Sequence, residues 1–142
     1  MFHKLVRFFI TAWLVALVSP ALAEKASVPE SIDGTTRVSA EEVIELISSK
    51  ADMVIIDARK ASDREKGYIE GSIGLPDTDT TEQSLASYLP GKATPVIFYC
   101  NGVKCGRSVK SAKNAVNWGY SNIYWFRGGW EEWMDNGYPV TR

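Results

Sequence analysis

Three short segments dominated by apolar residues recur along the chain: Met53-Val-Ile-Ile56, Pro95-Val-Ile-Phe-Tyr99 and Asn122-Ile-Tyr-Trp-Phe126. Runs of this kind, without polar alternation, suit strands covered on both faces, as in a parallel sheet. Between them the apolar period changes to that of a helix. Ser39-Ala-Glu-Glu42 fits a capping box, and Val43, Ile44 and Ile47 follow on one helical face, predicting a helix that ends near Ser49. Val109, Ala112 and Val116 have helical spacing between Arg107 and Trp118, with Gly119 as the stop. A helix over Thr80–Leu89 stops before Pro90-Gly91, Lys60–Lys66 allows one or two helical turns, and a short helix over Trp130–Asn136 closes at Gly137. Gly67–Pro76 carries too many glycines for a helix and reads as a turn with a short extended segment.

Strands alternating with helices indicate an α/β fold: a central parallel β-sheet flanked by helices on both faces. Ligand sites in such sheets lie beyond the carboxyl ends of the strands. Asp57 and Cys100 both stand there.

The first residues follow another pattern. Lys4 and Arg7 precede an apolar run from Phe8 to Val18, broken only by Thr11, and Ala21-Leu22-Ala23 offers small residues for cleavage. The run is about half of the roughly 20 residues that a spanning helix needs. A signal peptide over 1–23, cleaved after Ala23, is therefore expected, and it places the mature chain in the periplasm or outside the cell. Residues 24–34 then read as a flexible linker and 35–142 as one domain. Losing Lys4 and Arg7 from 16 basic residues against 17 acidic ones takes the net charge from −1 to −3. That balance excludes a broad basic surface for nucleic acid, and after cleavage nothing remains to hold a membrane. A monomer is expected.

Candidate chemistry centres on Cys100-Asn-Gly-Val-Lys-Cys-Gly-Arg-Ser108, which holds both cysteines of the chain. A thiol reacts as thiolate, so its surroundings must favour the anion. A loop running from a strand into a helix N-terminus turns backbone amides inward and adds the positive end of the helix dipole. Gly102 and Gly106 would permit a tight curl, and Lys104 and Arg107 add positive charge. Cys105 is a resolving or disulfide partner for Cys100. As a purely structural bridge it would close a very short loop, worth at most ~2–3 kcal/mol. The single histidine, His3, belongs to the leader, which excludes a Ser-His or Cys-His dyad and a histidine metal site in the mature chain. Gly102-x-x-x-Gly106 lacks the Gly-Lys-Ser/Thr ending of a phosphate-binding loop, and no cofactor, whether metal, nucleotide or flavin, is expected.

Three separated segments resemble one family, the single-domain rhodaneses, which are thiosulfate-type sulfurtransferases. They are Val54-Ile-Ile-Asp-Ala-Arg59 with Gly67-Tyr-Ile-Glu-Gly-Ser-Ile73, Val96–Cys100 with Gly106-Arg-Ser108, and Phe126-Arg-Gly-Gly-Trp-Glu-Glu-Trp133 with Gly137-Tyr-Pro139. The resemblance implies a rhodanese-like α/β fold. It also implies that the Cys100 thiolate attacks the outer sulfur of a small anionic donor such as thiosulfate, and that a thiol or protein acceptor removes the sulfur from the resulting persulfide. Asn101, Gly102, Val103, Lys104, Gly106 and Arg107 would form the anion-binding loop around it. Six residues separate Cys100 from Arg107, where the family usually has four and phosphatase relatives of the fold have five. Tyr68 stands where the family's turn usually has His, and reads as a packing residue with a hydroxyl hydrogen bond. Asp57 and Arg59 read as a structural pair beside the site. Besides sulfur transfer, three alternatives stay open: a thiol–disulfide redox protein using both cysteines, a non-catalytic binding module with a structural bridge, and a phosphatase. Glu65, Glu70 and Asp77 read as a solvated acidic surface, and the tryptophans as core filling.

Overall fold

The computed structural model describes residues 27–142, so the expected leader lies outside the described residues. In chain order the first elements are β1 (Thr35–Arg37), α1 (Ala40–Ser49), β2 (Val54–Asp57), α2 (Ala61–Arg64), β3 (Tyr68–Ile69) and β4 (Ile73–Gly74). A 3-10 turn (Asp77–Asp79) leads into α3 (Glu82–Tyr88), β5 (Val96–Tyr99), α4 (Arg107–Asn117), β6 (Ile123–Phe126), α5 (Gly129–Asp135) and β7 (Val140–Thr141). Five strands form a wholly parallel sheet in the order β1-β6-β5-β2-β4, and β3 pairs antiparallel with β7 beside it.

The three apolar segments are the three inner strands, and their alternation feeds two cores. Ile55, Ile97, Tyr99 and Phe126 face α1 and α5, packing with Ala40, Val43 and Trp133. Ile56, Val96, Phe98, Ile123 and Trp125 face the other way, onto Leu85 of α3 and Val109, Ala112 and Ala115 of α4. Helices therefore cover both faces, which is why these strands carry no polar alternation. The capping box forms as its spacing requires: the Glu42 amide donates to Ser39 Oγ at 3.3 Å and the Ser39 amide to Glu42 Oε2 at 2.7 Å. Gly119 ends α4 with φ of +88°. The Tyr120 amide there reaches Ala115 O and the Gly119 amide reaches Val116 O, a Schellman closure.

Two expectations need correction. Residues 27–34 of the expected flexible linker are docked on the domain: Ile32 is buried in the α4-side core, and Arg127 Nε donates to Pro29 O at 2.9 Å. Arg127 and Arg37 also pair with Glu30, at 2.9 and 2.7 Å. Two aliphatic side chains, Val28 and Ile32, in a polar stretch leave no periodicity to read, yet both pack on this core and fasten the segment. Asp77, expected on a solvated surface, is buried between Arg107 and Lys110.

Candidate functional site

Strand β5 occupies the middle of the sheet and ends at Tyr99, so the chain delivers Cys100 to the carboxyl edge with its side chain only 2% exposed. The loop beyond it curls back through a turn in which the Cys105 amide donates to Gly102 O at 3.0 Å. This brings the two cysteines together: Cys100 and Cys105 form a disulfide, with Cα atoms 6.1 Å apart. Their environments differ, since Cys100 is buried while Cys105 is half-buried on the wall of an open cavity of about 310 Å³. Asn101, Gly102, Val103, Lys104 and Glu131 complete that wall.

The loop is held from outside by α5. Trp130 N–H donates to Cys100 O and Glu131 N–H to Asn101 O, both at 2.8 Å. Gly129 permits this approach, because it has φ of +55° and a Cβ there would stand 2.2 Å from Cys100 O. By contrast, Gly102 and Gly106 have no positive φ, and Gly106 faces open space. The nearest atoms to a side chain on Gly102 would be those of the Glu131 carboxylate, the free end of a flexible residue. The glycine that the curl requires is therefore Gly129, far along the chain. We expect Gly129→Ala to cost about 1–3 kcal/mol through the clash and the left-handed backbone, measurable as a lower urea midpoint with an unchanged slope.

Of the amides of residues 101–107, only that of Cys105 donates to an acceptor among the described residues. The others have no acceptor among the described residues. The expected side-chain cations divide. Lys104 lines the cavity. Arg107 does not: its guanidinium hydrogen-bonds Asp77, which Lys110 also approaches at 3.6 Å. Asn101 lines the cavity and also donates through Nδ2 to Asp63 Oδ2 at 3.2 Å. Ser108, opening α4, accepts from the buried Trp125 indole at 3.0 Å.

Beneath the loop lies a buried charge network. Asp57 takes both arms of Arg59, Nε to Oδ1 at 3.0 Å and Nη2 to Oδ2 at 2.8 Å, as well as Arg59 N–H at 3.0 Å. Arg64 Nη1 reaches Asp57 Oδ2 at 3.1 Å and Ser72 Oγ at 2.9 Å. Tyr99 donates its hydroxyl to Asp57 Oδ2 at 2.8 Å and accepts from Ile69 N–H at 3.2 Å. Burial by itself would raise the Asp57 carboxyl, but the hydrogen bonds and charge of Arg59 outweigh it and hold the group below its ordinary value. Burial and then the Asp57 charge push the Tyr99 hydroxyl up, so it stays a donor. Asp57 and Arg59 thus form the structural pair that the sequence suggests. Arg59 also touches the site frame, since its guanidinium stacks 4.7 Å from the Trp130 ring. Tyr68 packs its ring 3.7 Å under the Arg64 guanidinium, and no hydrogen bond of its hydroxyl occurs among the described residues.

Glu131, Gly129, Asp63 and Asp77 are absent from the site as read from sequence. Only the Gly128-Gly129 pair left a signal, as a turn, and nothing local to it points at Cys100.

A family model described as "Rhodanese-like domain" matches residues 39–136. Among curated proteins, YibN of Escherichia coli K12 is 26% identical over 132 residues, covering 92% of this chain and 87% of its own length. The mouse "Thiosulfate sulfurtransferase/rhodanese-like domain-containing protein 3" is 30% identical over 109 residues, covering 68% of this chain and 67% of its own. Among solved structures, a thiosulfate sulfurtransferase from Pseudomonas aeruginosa superposes with a TM-score of 0.66 at 28% identity over 76% of this chain. The chain spans only 20% of that protein's length.

Proposed function

The chain belongs to the rhodanese-like domain family, and from that premise we propose that it transfers sulfur through Cys100. The reduced Cys100 thiolate attacks the outer sulfur of a thiosulfate-like donor and expels sulfite. The resulting persulfide then passes its sulfur to a thiol or protein acceptor. One observation carries this reading: Cys100 stands at the end of a central strand, at the start of a loop whose amides, apart from that of Cys105, lack internal acceptors among the described residues. Those amides would steady the terminal sulfur without a general base. With Arg107 engaged by Asp77, the main chain and Lys104 supply the positive field. The same reading has the chain exported, cleaved after Ala23, and acting as a monomer.

The test is a sulfite assay, with mass spectrometry of the chain, after thiosulfate treatment with and without prior reduction. Sulfite should be released only after reduction, because the disulfide occupies the nucleophile. An adduct on the disulfide form would sink the proposal. The Cys100–Cys105 disulfide also favours a second reading, a thiol–disulfide redox protein. Electron exchange with a dithiol protein, together with no sulfite release from thiosulfate by the reduced protein, would select it.

A further inference from the structure

We propose that Cys105 is a resolving thiol, so that the sulfur taken by Cys100 leaves as hydrosulfide and each turnover ends in the Cys100–Cys105 disulfide. This rests on the sulfur-transfer reading of Cys100 and adds the fate of the sulfur.

The disulfide shows the required reach directly, since the sulfur that Cys105 would attack is the one to which it is bonded. The turn from Gly102 to Cys105 holds it there. Cys100 is 2% exposed and its carbonyl is fixed by Trp130, while half-buried Cys105, bonded to it, lines the open cavity. Buried Cys100 is thus the less reachable of the two sulfurs for an acceptor from solvent, whereas Cys105 already stands against it. An oriented neighbouring group has an effective concentration that a diffusing thiol does not match.

The steps balance. The Cys100 thiolate attacks the sulfane sulfur of thiosulfate, the sulfur–sulfur bond breaks, and sulfite departs with the bonding pair. The Cys105 thiol, losing its proton, then attacks the inner sulfur of the Cys100 persulfide. The persulfide bond breaks and the outer sulfur leaves as hydrosulfide, reduced by two electrons that the two cysteine sulfurs supply. Reopening the disulfide takes a protein dithiol. One of its thiolates attacks Cys105, the reachable sulfur, and Cys100 leaves as thiolate. The second thiol then displaces Cys105, and the partner departs as a disulfide. The sum is thiosulfate and a dithiol converted to sulfite, hydrosulfide, a proton and a disulfide.

A single-turnover experiment on the reduced chain, freed of reductant and mixed with thiosulfate, tests this. Wild type should release sulfite and sulfide in equal amounts and finish as the disulfide. Cys105→Ala should release sulfite alone and retain one added sulfur on Cys100 until dithiothreitol is supplied, whereupon sulfide appears. If wild type releases sulfite but keeps the added sulfur, with Cys105 still open to alkylation, the resolving role is overturned and sulfur transfer stands. If neither protein releases sulfite, the sulfur-transfer reading fails and this inference falls with it.

Discussion

Cys100→Ser should lower sulfur transfer from thiosulfate by roughly 10³-fold or more relative to Cys105→Ser. A serine hydroxyl is not ionised near neutral pH, and no histidine occurs among the described residues to activate it. The comparison is with Cys105→Ser because both variants lose the disulfide. A bridge across so short a loop is worth at most ~2–3 kcal/mol, and that loss is then common to the two proteins. With cyanide or a small thiol as acceptor, Cys105→Ser keeps the nucleophile and turns over. Rates within about tenfold of each other would mean that Cys100 is not the sulfur carrier. Assaying both variants with an aryl phosphate separates sulfur from phosphoryl chemistry, since hydrolysis lost only in Cys100→Ser would mark a phosphatase.

Asp57→Asn should destabilise the fold by about 3–5 kcal/mol, the usual cost of removing one member of a buried ion pair. The carboxylate answers two guanidiniums and a tyrosine hydroxyl at once, and an amide leaves Arg59 buried without its counter-charge. A fall in Tm of about 10 °C or more follows from that magnitude for a domain of this size. The pH dependence gives a second reading. Because the native carboxyl titrates below its ordinary value, its contribution is fully present above the ordinary carboxylate range and is lost as pH falls through the native value. The stability gap between wild type and Asp57→Asn should therefore narrow on acidification below about pH 4. A gap constant with pH would show that the charge is not what Asp57 contributes.

The inner architecture was legible because each feature is local. Continuous apolar runs announced β2, β5 and β6, the Ser39-to-Glu42 spacing announced the start of α1, and Gly119 marked the end of α4. Strands β1 and β7 left no comparable trace. Thr35-Thr-Arg37 sits at the sheet edge with two of its three side chains in solvent, and its pairing partner, β6, lies nearly ninety residues away. β7 has only two residues and exists because β3 is there to pair with it. The site divides in the same way. Cys100, Cys105 and the loop between them were readable from one window of sequence. Arg107's engagement by Asp77 and the hold of α5 on the loop were not, because each joins segments about thirty residues apart and no periodicity encodes such a contact.

The two ends of the reactive loop are secured independently. Cys100 and Asn101 are bound through their carbonyls to α5, whereas Arg107 and Ser108 are bound through side chains to Asp77 and Trp125. Neither attachment involves residues 102–106. The closure entropy of a loop grows only slowly with its length, so residues added or removed between fixed posts change stability little. The span is thus an exchangeable insert in a rigid mount. A frame of this kind lets the reach and charge of the bridge, and with them the choice of sulfur partner, diverge while the sheet beneath stays as it is.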